Sequence, residues 1–244
     1  MKVIVKKDYD EMSKDVANHI INYINNKPDS LLCFAGGDTP LKTYAYLVEA
    51  AANGQVDFSK CSFVSLDEWG GLGPETKGSC VETLYNHLYN KLPINVEKQV
   101  CFFNGKAENL EDECKRVDEF IFNKGNIDIS LLGIGMNGHL GFNEPGADEE
   151  MYSGVIPLDP ITKTVGSKYF EEELDLKVGI TLGLKHLLNS NDVILIANAS
   201  KKADIVKETV EGEISNKVPS SLARKCNSSF IYLDEEAASK LENR

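Results

Sequence analysis

The chain has 244 residues, enough to bury a large core in one α/β domain, and its content of 42% hydrophobic and 26% charged residues is typical of an ordinary globular protein. Its formal net charge of −12 argues against a broad nucleic-acid-binding surface, which requires a positive footprint. No run approaches the ~20 apolar residues that cross a bilayer, and the apolar segment at the N-terminus is too short for a signal peptide. We therefore expect a cytoplasmic protein whose partners include neither nucleic acid nor a membrane.

Short β-branched runs alternate with amphipathic stretches along the chain. Met12, Val16, Ile20 and Ile24 recur at four-residue spacing and predict the first helix, and similar patterns predict helices over 41–52, 79–89, 110–123 and 201–211. This alternation predicts a mainly parallel sheet with helices on both faces, whose ligands bind at the carboxyl ends of the strands. The predicted strands cover 2–5, 30–35, 61–67, 100–103, 127–134, 192–198 and 229–233.

Three features bear on domain organisation and metal binding. The chain has no internal repeat or linker, and the irregular segment 135–159 is interpreted as a functional loop rather than a domain boundary. The six cysteines form no C-x-x-C pair, and several lie in apolar runs, so they are predicted to be buried free thiols. No group of histidine, cysteine and acidic residues has the spacing of metal ligands, so no metal site is predicted.

The first loop with possible chemistry is Phe-Ala-Gly-Gly-Asp-Thr-Pro, residues 34–40, after the second predicted strand. Pro40 suits the first helical position and Thr39 the cap, so the backbone amides from Gly37 to Thr39 could converge on an anion at a helix N-terminus. The loop lacks the spacing of a Walker motif. A glycine-rich turn with a good helix cap is an equally good interpretation of these residues alone.

The second loop is Val64-Ser-Leu-Asp-Glu-Trp69, where an apolar run ends in two acids. Adjacent strand residues point to opposite faces, so Asp67 and Glu68 are predicted to have separate tasks. One would face the crevice while the other caps a helix or forms a salt bridge. A carboxylate at a strand end is a plausible proton carrier, although acids also simply terminate strands.

The third loop spans residues 131–146, Leu-Leu-Gly-Ile-Gly-Met-Asn-Gly-His-Leu-Gly-Phe-Asn-Glu-Pro-Gly, and contains a G-x-G-x-x-G from Gly133 to Gly138. A dinucleotide fingerprint needs a helix after its last glycine and an acid about 20 residues later. Gly141, Pro145 and Gly146 argue against that helix, and no acid fits. The loop instead supplies Asn137, His139, Asn143 and Glu144, and a histidine beside a carboxylate is typical of acid/base catalysis near neutral pH.

Taken together and in this order, these loops resemble the sugar-phosphate isomerase family that contains glucosamine-6-phosphate deaminase and 6-phosphogluconolactonase. Leu66-Asp-Glu-Trp69 is similar to the family's Leu-Asp-Glu-Tyr/Trp, and residues 133–146 are similar to the catalytic loop of the deaminase branch. The lactonase branch usually lacks the Asn-Glu-Pro that follows Gly-His here. Among the deaminases, Gly78-Ser-Cys80 and the segment 179–185 most resemble galactosamine-6-phosphate isomerases.

The resemblance implies one Rossmann-like α/β domain over residues 1–244 that needs no cofactor. It would convert glucosamine or galactosamine 6-phosphate to a ketohexose 6-phosphate and ammonia. Asp67 matches the base that moves the C2 proton, a task that suits a carboxylate. His139 matches the group that handles the ring-oxygen proton, Glu144 the acid that orients His139, and Asn137 a residue that positions them. Phosphate binding is implied for Gly37, Asp38, Thr39, Lys168 and Lys202.

Three departures from the family pattern keep alternatives open. Asp38 puts a negative charge where deaminases usually carry glycine or serine, so it either turns away, capping the helix, or changes how the sugar is held. Met151-Tyr-Ser153 lacks the arginine that binds the effector N-acetylglucosamine 6-phosphate in allosteric members, so such regulation is not expected. The paired glycines Gly36-Gly37 occupy the position that paired glycines have in the lactonase branch. A sugar-phosphate lactonase and a non-catalytic sugar-phosphate sensor are therefore the competing hypotheses, and a homo-oligomer is left open.

Overall fold

The computed structural model describes residues 1–170 and 174–242, and its main element is a seven-stranded, wholly parallel sheet. The strand order is β1-β10-β9-β6-β2-β3-β5. The mainly parallel sheet predicted from the sequence is therefore confirmed. Its strands are β1 (Lys2–Lys6), β2 (Leu31–Phe34), β3 (Ser62–Ser65), β5 (Val100–Cys101), β6 (Ile129–Gly133), β9 (Asp192–Ala197) and β10 (Ser229–Asp234).

Helices cover both faces of this sheet because its strands are apolar on both sides. In β2, Leu31 and Cys33 pack into one core cluster, whereas Leu32 and Phe34 pack into the other. The second cluster includes all four residues of the predicted stripe Met12, Val16, Ile20 and Ile24. The helices are α1 (Tyr9–Asn26), α2 (Leu41–Ala52), α3 (Cys80–His87), α4 (Val96–Gln99), α5 (Leu110–Lys124), α6 (Pro160–Gly166), α7 (Leu184–Leu188) and α8 (Ala203–Glu211).

The strand order reverses between β2 and β6. From β2 the chain proceeds to β3 and β5 on one side, and from β6 it proceeds to β9 and β10 on the other. The loops that leave neighbouring strands at such a point diverge and open a crevice beyond the carboxyl ends of the strands. Residues 35–40, called the β2–α2 loop, and residues 133–146, called the glycine-rich loop, both begin at this crevice.

A second, antiparallel sheet with the order β4-β8-β7 lies beside the first. Its strands are β4 (Asp67–Trp69), β7 (Ser153–Pro157) and β8 (Val178–Leu182). The strand predicted over 61–67 is therefore split: the chain leaves the main sheet at Leu66, whose carbonyl accepts a hydrogen bond from the N–H of Leu182 at 2.9 Å. The expectation that 135–159 is wholly irregular was wrong, because residues 153–157 form β7, which pairs with β8.

The start of α2 also differs from its prediction. The helix begins at Leu41 with Pro40 at its cap position, and no side chain caps it, so neither Thr39 nor Asp38 has that role. The prediction of buried free thiols holds for five of the six cysteines, and Cys226 is partly exposed. Within the described residues, no helix is long and apolar enough to cross a membrane.

Candidate active site

A cavity of about 640 Å³ opens at the point where the strand order reverses. It is walled by the β2–α2 loop, β4, the glycine-rich loop, the segment from α6 to Tyr169, and the turn after β9. Seven of the nine predicted site residues line it, namely Gly37, Asp38, Thr39, Asp67, His139, Lys168 and Lys202. The remaining two, Asn137 and Glu144, hydrogen-bond to His139 from outside the cavity wall.

Asp67 is the first residue of β4, and its carboxyl group faces the cavity. Trp69, two residues on, faces the same way, as the alternation of a strand requires. Asp67 is 9% exposed, and burial raises its pKa to about 6, although the Cys80 thiol and the nearby His139 oppose that rise. A carboxyl group with this pKa is mostly ionised at neutral pH and can still accept and return a proton.

Glu68 points away from the cavity and has the separate task expected from its position. Its carboxylate accepts hydrogen bonds from the backbone N–H groups of Cys80 at 3.1 Å and Val81 at 2.8 Å, at the start of α3. Burial raises the pKa of Glu68 to about 7, against these hydrogen bonds. Glu68 therefore holds the start of α3 against β4.

His139 is held by the glycine-rich loop and by the carboxylate of Glu144. Its ring lies directly over Gly135, where any Cβ would overlap it, so this position requires glycine. Nδ1 of His139 lies 3.1 Å from Oε2 of Glu144 and 3.2 Å from Oγ1 of Thr162. In the described part of the chain, no group hydrogen-bonds to Nε2 of His139, which leaves that nitrogen for a ligand in the cavity.

Glu144 is an ionised acceptor. Burial would raise its pKa, but hydrogen bonds from His139, Thr162 and Asn137 outweigh it and lower the pKa to about 2. The Asn137 amide donates to Oε2 of Glu144 at 2.8 Å, and its oxygen accepts from the His139 N–H at 3.2 Å. Because an ionised carboxylate only accepts, Nδ1 of His139 carries the proton and Nε2 is the acceptor of the neutral ring.

Lysine side chains supply the positive charge of the cavity. The Lys202 side chain is partly buried, and its ammonium donates to the carbonyl of Ile134 at 2.5 Å. Burial, followed by repulsion from Lys201 and Lys168, lowers the pKa of Lys202 to about 8. A bound anion beside Lys202 would stabilise the charged ammonium and so offset the cost of its burial.

Asp38 turns toward a lysine rather than toward the helix. Its carboxylate accepts a hydrogen bond from the Lys168 ammonium at 2.9 Å, and the side chain is 60% exposed. The Lys168 ammonium also lies 4.6 Å from the centre of the Tyr169 ring. The negative charge of Asp38 in the β2–α2 loop is therefore paired with the Lys168 ammonium at the mouth of the cavity.

Sequence reasoning missed three residues that shape this cavity. Thr162 contacts His139 from α6, a helix that was not predicted, and Tyr9 donates to the carbonyl of Thr39 at 2.8 Å. Cys80 was noticed only as part of a family likeness. The Asp-Pro at 159–160, a cap followed by a first-turn proline, was the available signal for α6. In residues 1–170 and 174–242, no group of three or more histidine, cysteine or acidic side chains has the arrangement of a metal site.

This geometry can be compared with known proteins. Residues 7–232 match the family model described as glucosamine-6-phosphate isomerases/6-phosphogluconolactonase. The chain is 38% identical over 242 residues to the glucosamine-6-phosphate deaminase of Thermoanaerobacter sp. (strain X514), covering 98% of this chain and 94% of the relative. It is 37% identical over 243 residues to the enzyme of the same name from Clostridium novyi (strain NT), covering 99% and 100%.

Solved structures of a deaminase and of a lactonase also resemble this chain. A monomeric glucosamine-6-phosphate deaminase superposes with a TM-score of 0.94 at 32% identity, over 98% of this chain and 99% of that structure. A 6-phosphogluconolactonase from Trypanosoma brucei superposes with a TM-score of 0.76 at 20% identity, over 98% of both chains. At that identity the likeness to the lactonase extends to the fold alone.

Proposed function

Because this chain belongs to the family of glucosamine-6-phosphate isomerases and 6-phosphogluconolactonases, we propose that it isomerises and deaminates an amino-sugar 6-phosphate. The products are a ketohexose 6-phosphate and ammonia, and residues 1–244 act as one catalytic domain. One observation carries the proposal: a buried carboxyl group, Asp67, and an imidazole held by a carboxylate, His139, line one cavity with Lys168 and Lys202.

Asp67 is the base of the proposed reaction. The open-chain aldose must lose a proton from C2 and gain one at C1, and a single carboxylate can carry that proton between adjacent carbons. The pKa of Asp67, about 6, leaves it ionised before the reaction and able to return the proton afterwards. This transfer turns the amine at C2 into an imine. Water adds to the imine carbon, and the C–N bond then breaks to give the ketone and ammonia.

His139 serves ring opening in this proposal. The cyclic sugar opens when its ring oxygen gains a proton and the C1 hydroxyl loses one. Nε2 of His139 faces the cavity as an acceptor because Glu144 holds the proton on Nδ1. His139 can therefore take the hydroxyl proton and return it to the ring oxygen, while Glu144 and Asn137 keep the imidazole in position.

The phosphate group is assigned to the lysine side of the cavity. Lys168, Lys202 and the backbone amides from Gly37 to Thr39 are the proposed binding groups, and the residues that carry them line the cavity. A phosphate dianion beside Lys202 would favour the protonated ammonium despite its burial. The Asp38 carboxylate is paired with Lys168, so it offers the phosphate a hydrogen-bonded ion pair rather than an isolated negative charge.

The identity of the sugar is proposed from the relatives. Those described above are named as acting on glucosamine 6-phosphate, which favours the gluco epimer over the galacto epimer suggested by Gly78-Ser-Cys80. The relative described as monomeric favours a monomer here. A lactonase retains support from Gly36-Gly37 and the shared fold alone, and a non-catalytic sensor would have no need of an ionised Glu144 behind His139.

The test is a direct comparison of substrates. The purified chain is incubated separately with glucosamine 6-phosphate, galactosamine 6-phosphate and 6-phosphogluconolactone, and ammonia release and lactone loss are measured. We expect ammonia from an amino sugar, with the larger kcat/KM for the gluco epimer. Absence of ammonia from both amino sugars overturns the proposal, and faster lactone loss than the spontaneous rate would then favour the hydrolase.

A further inference from the structure

Tyr9 joins the start of α1 to the β2–α2 loop. It is the first residue of α1, it is partly buried, and it lines the cavity. Its hydroxyl donates to the carbonyl of Thr39 at 2.8 Å and lies 3.4 Å from the carbonyl oxygen of Asp38. The same hydroxyl oxygen accepts a hydrogen bond from the N–H of Lys42 at 3.2 Å. One side chain from α1 therefore holds both the end of the loop and the first turn of α2.

The contact with Lys42 does what the loop does not do for itself. A helix leaves its first N–H groups without partners in its own backbone, and a side chain at the cap position usually accepts from one of them. In α2 the cap position is Pro40, which has no side-chain acceptor. The Tyr9 hydroxyl takes one of the amides that the missing cap leaves over. It thereby fixes where α2 starts and where the loop ends.

The backbone N–H groups of the loop have no acceptors within the protein. In the described ranges 1–170 and 174–242, the N–H groups of Gly37, Asp38 and Thr39 donate to no protein group. The Asp38 carbonyl, in contrast, accepts from the N–H of Leu41 at 3.3 Å in addition to its contact with Tyr9. A trans peptide points its N–H away from its carbonyl, so holding the Asp38 carbonyl also fixes the direction of the Thr39 N–H.

The Tyr9 hydroxyl is not itself a phosphate ligand in this arrangement. A phenol has one proton, and here the Thr39 carbonyl takes it at 2.8 Å. What the hydroxyl leaves toward the cavity is an oxygen acceptor, which offers an anion no hydrogen bond. Its contribution is therefore to the shape of the loop.

We infer that Tyr9 is a positioning residue for the substrate phosphate: its hydroxyl holds the β2–α2 loop in the conformation that leaves the amides from Gly37 to Thr39 free for the anion. The inference rests on the proposed function, which assigns the phosphate to these amides. Lys168 and Lys202 attract the charge, and Tyr9 orders the loop before the ligand arrives. A loop that is ordered in advance binds more tightly, because no cost of ordering accompanies binding.

The experiment compares ligand affinity and turnover in Tyr9→Phe, which keeps the ring and removes only the hydroxyl. Calorimetry should show that the Kd for fructose 6-phosphate, the product expected from the gluco epimer, rises roughly three- to tenfold. In steady-state ammonia release KM should rise in proportion, while kcat at saturating substrate stays within about twofold of the wild type. The split is expected because Tyr9 makes no hydrogen bond to Asp67 or His139.

Inorganic phosphate is the second probe in the same calorimeter. Its Kd should rise in Tyr9→Phe by the same factor as that for fructose 6-phosphate, because the affected amides are proposed to bind only the phosphate group. A rise confined to the sugar phosphate would place the effect on the sugar and overturn the inference.

The matched control is Tyr46→Phe. It also removes a phenol hydroxyl between α1 and α2, but this hydroxyl donates to the Asp10 carboxylate at 2.7 Å, and Tyr46 does not line the cavity. Asp10 also pairs with the Lys42 ammonium at 2.5 Å, so α1 stays docked on α2 in either variant. Tyr46→Phe should leave both dissociation constants unchanged. An equal rise in the two variants would mean that the hydroxyl of Tyr9 acts only through helix packing.

The outcomes separate this inference from the proposed function, because calorimetry needs no turnover. A wild type that binds fructose 6-phosphate but releases no ammonia from either amino sugar overturns the deamination, and the binding data then decide the role of Tyr9. A wild type that binds neither fructose 6-phosphate nor phosphate overturns both. An unchanged Kd in Tyr9→Phe, or a loss of kcat with an unchanged Kd, overturns the inference alone.

Discussion

Nδ1 of His139 and Asn137 Nδ2 converge on one oxygen of Glu144, at 3.1 Å and 2.8 Å respectively. Glu144 therefore sets both the tautomer and the orientation of the imidazole, and the loop amide holds the carboxylate in turn. The three side chains come from within eight residues of chain, so the arrangement is local. It needs only the turn at Gly135, which lets the ring fold back over the backbone.

Glu144→Gln should lower kcat by roughly 10²- to 10⁴-fold while KM changes less than about threefold. The neutral amide can present its NH₂ to Nδ1, which would leave the proton on Nε2 and reverse the roles of the two ring nitrogens. Steady-state ammonia release measures the effect.

The matched control for that variant is Asp118→Asn. Asp118 lies 2.8 Å from Nε2 of His186, so it forms another histidine–carboxylate pair, and neither residue lines the cavity. Its loss should leave kcat within about twofold of the wild type. An equal loss of kcat in Glu144→Gln and Asp118→Asn would mean that Glu144 contributes only to stability.

Much of this site could be predicted because its parts are local in sequence. The alternation of a strand correctly predicted that Asp67 and Glu68 point to opposite faces. The histidine, the amide and the carboxylate could be found because all three lie in the short segment 137–144. The small sheet could not be predicted, because its strands form only by pairing with one another, and the β4–β8 pairing joins Asp67 to Thr181, which lies far along the chain. Thr162 was missed for a different reason: the cap and proline at Asp159 and Pro160 signal α6 but do not indicate that this helix packs against His139.

Asp67→Asn should reduce turnover by at least roughly 10²-fold and leave binding of fructose 6-phosphate, the product expected from the gluco epimer, within about threefold. The amide has nearly the same shape as the carboxyl group but cannot accept the C2 proton. Calorimetry measures binding and ammonia release measures turnover. The exposed Asp57→Asn serves as a control without effect, and retained turnover in Asp67→Asn would remove its role as the base.

Lys202 should make ligand affinity fall at high pH. Its pKa in the free protein is lowered to about 8, first by burial, so the ammonium that we propose to bind phosphate is lost as the pH rises through that value. The dissociation constant for fructose 6-phosphate should therefore increase by up to about tenfold per pH unit above 8. The Lys202→Arg variant should bind fructose 6-phosphate more weakly, but its affinity should not change over this pH range, because a guanidinium stays protonated. An equally steep fall in the arginine variant would assign the effect to another group.

Asp38→Ser should tighten phosphate binding by roughly two- to fivefold, because it removes a negative charge from the cavity mouth and frees the Lys168 ammonium. The factor is small because the ion pair is substantially exposed to solvent. Asp38→Glu keeps the charge and should bind like the wild type. Weaker binding by the serine variant would instead show that Asp38 holds Lys168 where the phosphate needs it.

Ala199 carries backbone strain in the turn that bears Lys202. Its φ of 71° and ψ of 151° lie in a region that is essentially restricted to glycine. Both carboxylate oxygens of Asp234 hold its N–H, at 3.1 and 2.9 Å, and its carbonyl accepts from the N–H of Lys202 at 3.0 Å. These contacts maintain a conformation that alanine would not adopt alone.

Ala199→Gly should raise the free energy of unfolding by about 1 kcal/mol, because a strain of about 1–3 kcal/mol disappears while glycine adds about 0.5–1 kcal/mol of unfolded-state entropy. Urea denaturation at pH 7 measures the change. The matched substitution Ala203→Gly, at a helical φ of −59°, should instead lower stability by about 1 kcal/mol. An equal loss in the free energy of unfolding of both glycine variants would show that the turn at Ala199 is unstrained. A stabilised Ala199→Gly with weakened phosphate binding would show that the strain serves to keep Lys202 at the cavity.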